Sequence, residues 1–151
     1  MTAVMKIDMP APVHQMTCRV LYGDTDAGGV VYYANYLRYF EAGRSEFMRE
    51  FCCSYRALEE RGLVLPVIES FVRYKAPAVY DDRLLVETSL VTLKNVSCRF
   101  NYRLLRNNDD DAAPVLLAKG YTAHASVNRQ GKLAKLPEDV LGALRNIMTT
   151  G

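Results

Sequence analysis

Two carboxylates, Asp24 and Asp26, stand two positions apart in the segment Tyr22-Gly23-Asp24-Thr25-Asp26-Ala27-Gly28-Gly29, and Tyr32, Tyr33 and Tyr36 follow closely. Aspartate can act as base or nucleophile, and paired glycines let the backbone approach a ligand or take positive φ. The same composition serves turns and helix caps, so Asp-x-Asp-x-Gly has a purely structural reading as well. A calcium loop does not fit, because the later acidic ligands and the bidentate Glu are missing. Position admits a chemical reading beside the structural one. The loop opens onto a helix start, where free N–H groups polarise a carbonyl and a neighbouring carboxylate is placed to work on it. That is an acyl-transfer layout.

The elements that must hold this loop follow from periodicity. Met16 to Tyr22 alternates and reads as a first strand. A helix is expected from Asn35, its cap, to about Cys52, because Tyr36, Phe40, Gly43, Phe47 and Phe51 form one stripe. Gly43 within that stripe costs about 1 kcal/mol against Ala, which predicts close packing on a sheet. Ser54 to Arg61 reads as a short helix stopped at Gly62. Extended segments follow: Val64 to Tyr80, Leu84 to Leu93, Val96 to Leu104 with Ser97, Arg99, Asn101 and Arg103 on a wet face, and Val115 to Val127. Pro137 opens a terminal helix through Met148. The order predicts an α+β fold, with one apolar helix packed on the concave face of an antiparallel sheet.

The 151 residues fit one domain, 1–151, with residues 1–15 as a loose leader in which His14 is solvated. Nineteen Lys and Arg against 17 Asp and Glu leave a formal charge of +2, too balanced to argue for nucleic acid. The leader lacks a signal-peptide pattern, and no run approaches the roughly 18 apolar residues of a membrane span. Cys18, Cys52, Cys53 and Cys98 show neither a disulfide framework nor zinc spacing, so reduced thiols in the cytoplasm and no metal or cofactor are expected.

The run from Tyr22 to Leu37, continuing to Glu41 and Arg44, resembles the 4-hydroxybenzoyl-CoA thioesterase family, and within it the acyl-CoA thioesterases encoded with the Tol–Pal system. Tyr74-Lys75-Ala76-Pro77-Ala78-Val79-Tyr80-Asp81-Asp82 is similar to that family's second motif, and the likeness spans roughly residues 16 to 140. The resemblance implies a hotdog fold, a sheet wrapped around a central helix, assembled as a homodimer or homotetramer. It implies hydrolysis of an acyl-CoA with Asp26 as nucleophile or general base, the Tyr33 backbone N–H as oxyanion donor, and Tyr22 as pocket wall or hydrogen-bond donor. Acyl carrier protein remains open as an alternative carrier, and a non-catalytic acyl-CoA-binding module as an alternative function. Tyr33 departs from the pattern, since many Tol–Pal-associated members carry histidine there. The departure spares the backbone donor but removes a side-chain acid–base partner.

A CoA ligand needs basic or polar side chains for its phosphates. Lys94, Asn95 and Ser97, at a turn between strands, are the first choice, supported by a similar stretch in the family; Arg129 and Lys132 come second. Glu41, Arg44 and Glu46 allow helix-surface pairs, and Glu41 as a second catalytic acid has precedent in some hotdog subfamilies. Cys98 with His124 as a nucleophile pair is set aside, because neither sits at a loop or helix start where nucleophiles are activated.

Overall fold

The computed structural model describes residues 6–150. Strand β1 spans His14–Arg19, followed by a 3-10 turn at Tyr22–Asp24, α1 at Asn35–Phe51 and α2 at Tyr55–Glu60. Then come β2 at Val67–Tyr74, β3 at Arg83–Leu93, β4 at Ser97–Arg106, β5 at Val115–Ala125 and α3 at Glu138–Thr150. The five strands form one antiparallel sheet in the order β1-β3-β4-β5-β2. The expected α+β arrangement is present.

Helix α1 buries Tyr36, Tyr39, Phe40, Gly43, Phe47 and Met48 against the sheet. Phe40 stacks on Tyr102 of β4 at 4.4 Å, and Phe47 meets Phe100 edge to face at 5.6 Å. Gly43 lets these rings seat. A Cβ at that position would stand 2.5 Å from Thr88 Oγ1 and 2.7 Å from Val86 Cγ1, both on β3. Helix α2 is capped by the Ser54 hydroxyl, which accepts from Ala57 N at 3.1 Å, and it stops at Gly62 with φ of 84°.

Four expectations need correction. Strand β1 begins two residues early and ends at Arg19, because the chain leaves the ladder once Val20 N donates to Asp82 O and Val20 O accepts from Asp81 N. His14 is not solvated: its side chain is 11 % exposed, with Nε2 3.0 Å from the Glu50 carboxylate and its ring edge-on to Phe51. The leader is not loose over residues 8–15 either. Asn101 Nδ2 donates to Asp8 O at 2.8 Å and the Ser89 hydroxyl to Pro10 O, which lays this stretch across the outer face of β3 and β4. The β4 face expected to be wet is therefore partly covered, and Asn101 is buried. Residues 1–5 of the leader lie outside the described residues.

Candidate active site

Between β1 and α1 the chain doubles back on itself. Asp26 N donates to Val30 O at 2.8 Å, Gly29 N returns to Asp26 O at 3.0 Å, and Thr25 bridges Val31. Gly29 sits at φ of 81°, a conformation glycine adopts without steric cost. The second motif clamps this hairpin. Val31 N donates to Ala78 O at 2.9 Å, Val30 bridges Val79, and the Tyr36 hydroxyl accepts from Ala78 N at 3.1 Å. Tyr74 Oη donates to Tyr33 O at 2.9 Å. The two motifs, forty residues apart in sequence, thus form one structure.

The two aspartates do different work. Asp24 is buried, and its Oδ2 accepts from Leu21 N at 2.9 Å and from the Tyr39 hydroxyl at 3.0 Å. Its carbonyl accepts from Tyr32 N and from Asn35 Nδ2, each at 2.9 Å. Burial first, and the Asp24 carboxylate next, hold the Tyr39 phenol well above its ordinary pKa, so Tyr39 remains a donor. Asp26 is exposed: Oδ1 accepts from Gly28 N at 2.8 Å, and Oδ2 has no partner among the described residues. Asp24 is committed to holding the loop, whereas Asp26 keeps a free oxygen at its rim.

The helix start adds the complementary groups. Asn35, expected as the cap, is the first helical residue instead, its side-chain amide donating to Asp24 O; Ala34 occupies the cap position and has no polar side chain with which to cap. The first turn bonds through Asn35 N to Tyr32 O, Tyr36 N to Tyr33 O and Leu37 N to Ala34 O, so the N–H groups of Tyr33 and Ala34 find no acceptor among the described residues. A cavity of about 310 Å³ adjoins them, lined by Val30, Val31, Tyr33, Tyr36, Tyr74 and the Lys75-Ala76-Pro77 stretch.

Other candidate residues fall elsewhere. Tyr22 points outward, 76 % exposed, with its ring edge-on to Tyr80 at 5.5 Å, and it does not line this cavity. Lys94, Asn95 and Ser97 occupy the β3–β4 turn, and Arg129 and Lys132 the turn after β5, at the far end of the sheet. Eleven residues of β3 lie between Asp82 and Lys94, which puts the two about 40 Å apart along the strand. Within one chain Lys94 is therefore not brought to Asp26. Asn95 is partly occupied, accepting from Leu136 N at 2.9 Å and Arg145 at 3.3 Å. Glu46 pairs with Arg49 on the helix surface, whereas Arg44 is half-buried beside the Tyr55 and Tyr102 phenols.

Residues 20–144 match the family described as the thioesterase-like superfamily. The chain belongs to that superfamily. It is 36 % identical over 132 residues to the acyl-CoA thioesterase YbgC of Haemophilus influenzae, an alignment covering 85 % of this chain and 92 % of the relative. It is 33 % identical over 128 residues to a putative esterase of Aquifex aeolicus, covering 85 % and 94 %. Its fold is that of a 1,4-dihydroxy-2-naphthoyl-CoA thioesterase from Synechocystis, with a TM-score of 0.78 at 23 % identity, covering 89 % of this chain and 97 % of the other. The hotdog architecture expected from the motif resemblance is thereby established.

Cys98 and His124 are register partners across β4 and β5. Burial pushes the thiol up to about 12 and the imidazole down to about 4, so both stay neutral, the opposite of an activated pair. His124 Nδ1 faces the Leu65 carbonyl at 2.9 Å and must carry the proton, since a carbonyl only accepts. Nε2 then accepts from Thr122 at 2.8 Å, and Thr122 accepts from Tyr102 Oη at 2.5 Å. These buried polar groups are satisfied inside the core. Among the described residues no three His, Cys, Asp or Glu side chains converge as a metal site would require, and no helix is long and apolar enough to cross a membrane.

Proposed function

We propose that this chain hydrolyses acyl-CoA thioesters to a free acid and CoA. One observation carries the reading: the free Asp26 oxygen and the unpaired N–H groups of Tyr33 and Ala34 belong to one clamped hairpin and helix start, beside a cavity with apolar walls. A thioester oxygen held by those N–H groups develops negative charge during attack, and the positive end of α1 stabilises it. Asp26 then either takes a proton from the attacking water or attacks the carbon itself to form an anhydride. Either way the C–S bond breaks and the sulfur leaves as a thiolate that takes up the proton released by water; on the second route water then cleaves the anhydride, which releases the acid and restores Asp26. Relatedness to an enzyme named acyl-CoA thioesterase across 85 % of the chain supports the substrate class.

The site gains its nucleotide-binding half by pairing. Strand β2 lies at the sheet edge with its ladder groups open and Ile68 64 % exposed. Open edges of this kind are protected by association. Two-fold antiparallel pairing of β2 with a second copy sets the Val67 end of one chain beside the Tyr74 end of the other. The Lys94 turn lies at the Val67 end, since Val67 pairs with His124 and Ser97 with Ala125, while Tyr74 bonds to Tyr33. In such a dimer Lys94, Asn95 and Ser97 of one copy approach the Asp26 site of the other, within reach of CoA phosphates.

Free-thiol release from a panel of CoA thioesters of varied acyl length and ring content tests the reading, with the matching carrier-protein thioesters alongside. Turnover of at least one CoA thioester is expected. Release confined to carrier-protein substrates would replace CoA with the protein carrier, and release from neither would refute hydrolysis.

A further inference from the structure

Cys52 and Cys53 close α1, and nothing in thioester hydrolysis uses them. Their sulfurs lie 3.8 Å apart, with Cys52 Sγ donating toward Cys53 Sγ, and both side chains are half-buried against the edge of the core. Their backbone is not free to drift: Cys52 N donates to Met48 O at 2.8 Å, and Ser54 caps the next helix. Cys18 and Cys98 are on β1 and β4, with β3 between them, so the pair at 52 and 53 is the sulfur contact among the described residues. We propose that Cys52 and Cys53 form a bidentate site for one thiophilic atom of the trivalent-arsenic class, bound by both sulfurs at the C-terminal end of α1.

The obvious competitor for two neighbouring thiols is a disulfide, and the geometry disfavours it. Adjacent Cα atoms are about 3.8 Å apart across a trans peptide, below the roughly 4.4 Å lower limit of ordinary disulfides. The sulfurs would also have to close from 3.8 Å to about 2.0 Å. Disulfide chemistry begins from a thiolate, and burial together with the adjacent Cys53 pushes the Cys52 thiol up to about 12. An arsenic bridge meets none of these obstacles. A single atom sits between the sulfurs, so they stay near their present separation, and neutral thiols suffice. With phenylarsine oxide, two S–H bonds and the As–O bond break, and two As–S bonds form. Both thiol protons leave with the oxygen as one water, and arsenic remains trivalent throughout. No oxidant or reductant takes part.

The site is separable from the proposed active site, because the 17 residues of α1 place the two about 25 Å apart. Titration of the reduced full-length protein with phenylarsine oxide, read by free-thiol count and intact mass, tests the proposal. One equivalent should remove two of the four thiols and add one phenylarsenic less two protons. The adduct should survive excess 2-mercaptoethanol and be released by 2,3-dimercaptopropanol. A second, intramolecular sulfur is worth about 10² to 10⁴ in affinity, so Cys52→Ser and Cys53→Ser should each weaken binding at least about a hundredfold, with Cys18→Ser unchanged. Melting curves establish that each variant is folded; if Cys52→Ser is not, Cys53→Ser alone decides. Loss of one thiol per arsenic, or undiminished affinity in a folded Cys53→Ser variant, would overturn the proposal.

Discussion

Replacing each aspartate of the loop by asparagine should separate holding from chemistry. In Asp24→Asn the amide oxygen can take the place of Oδ2 and keep the Leu21 and Tyr39 bonds, at 2.9 and 3.0 Å, but both become neutral hydrogen bonds. Bonds to a charged group contribute about 1.5–3 kcal/mol and neutral ones about 0.5–1.5, so the pair loses about 2 kcal/mol. The Arg38 contact at 3.8 Å adds little, because that guanidinium is largely in solvent. For a chain of this size the loss lowers Tm by about 4–8 °C. Asp26→Asn keeps the Gly28 bond on an exposed side chain, so stability should move by no more than about 0.5 kcal/mol. Its cost is chemical: loss of the base or nucleophile should lower kcat at least about a hundredfold with KM little changed. Both variants are to be measured on one acyl-CoA, with thermal melts in parallel. Near-full turnover in Asp26→Asn, or a dead Asp24→Asn with an unshifted Tm, would refute this division.

Gly120→Ala should be severe, because a Cβ there falls 2.0 Å from the Phe71 carbonyl oxygen and forces β2 off β5; a loss of about 3 kcal/mol or more is expected by denaturant melts, together with loss of the β2 pairing proposed for the dimer. The dimer itself is checked by light scattering, where a monodisperse monomer at micromolar concentration would exclude β2 pairing. His124 is held neutral down to about 4 against 6.5 in the unfolded chain, so the unfolded state binds the extra proton in that window. Its contribution to stability is therefore intact above about pH 6.5 and falls by about 3 kcal/mol as pH drops toward 4, and ring resonances titrating near 6.5 in the folded protein would contradict it. Lys94→Ala should raise KM for acyl-CoA more than it lowers kcat, since a phosphate contact is alike in ground and transition states, and an unchanged KM would move the phosphate site elsewhere.

The central helix and β4 were readable because their apolar residues repeat with a fixed period, while β3 and β5 were readable as long apolar runs bounded by turn residues; even Gly43 announced its close approach to Val86 and Thr88. The loop was readable because an extended run of residue types recurs in a known family. What escaped was held by partners without a periodic pattern. Asp8 and Pro10 fasten the N-terminal stretch through main-chain carbonyls, which any residue carries. His14 finds Glu50 and Phe51 across 36 residues of sequence, a pairing that no local pattern encodes. Tyr22 continues the alternation of β1 on paper, but the chain turns at Leu21 and swings the ring outward. Arg44 shares a helix with Glu41 and Glu46, yet it turns inward beside two phenols that arrive from α2 and β4.

Because Asp24 carries the hydrogen bonds that shape the loop and Asp26 keeps an oxygen in reserve, the carboxylate proposed to react contributes almost nothing to the stability of its own surroundings. On the proposed mechanism inactivation is then nearly free in folding terms: a single-nucleotide change from Asp to Asn at position 26 would silence the chemistry and leave the cavity, the helix start and the sheet edge as they were. If Asp26 reacts as proposed, an acyl-CoA receptor lies one substitution away from a hydrolase on this scaffold, and the folded state would not register the difference.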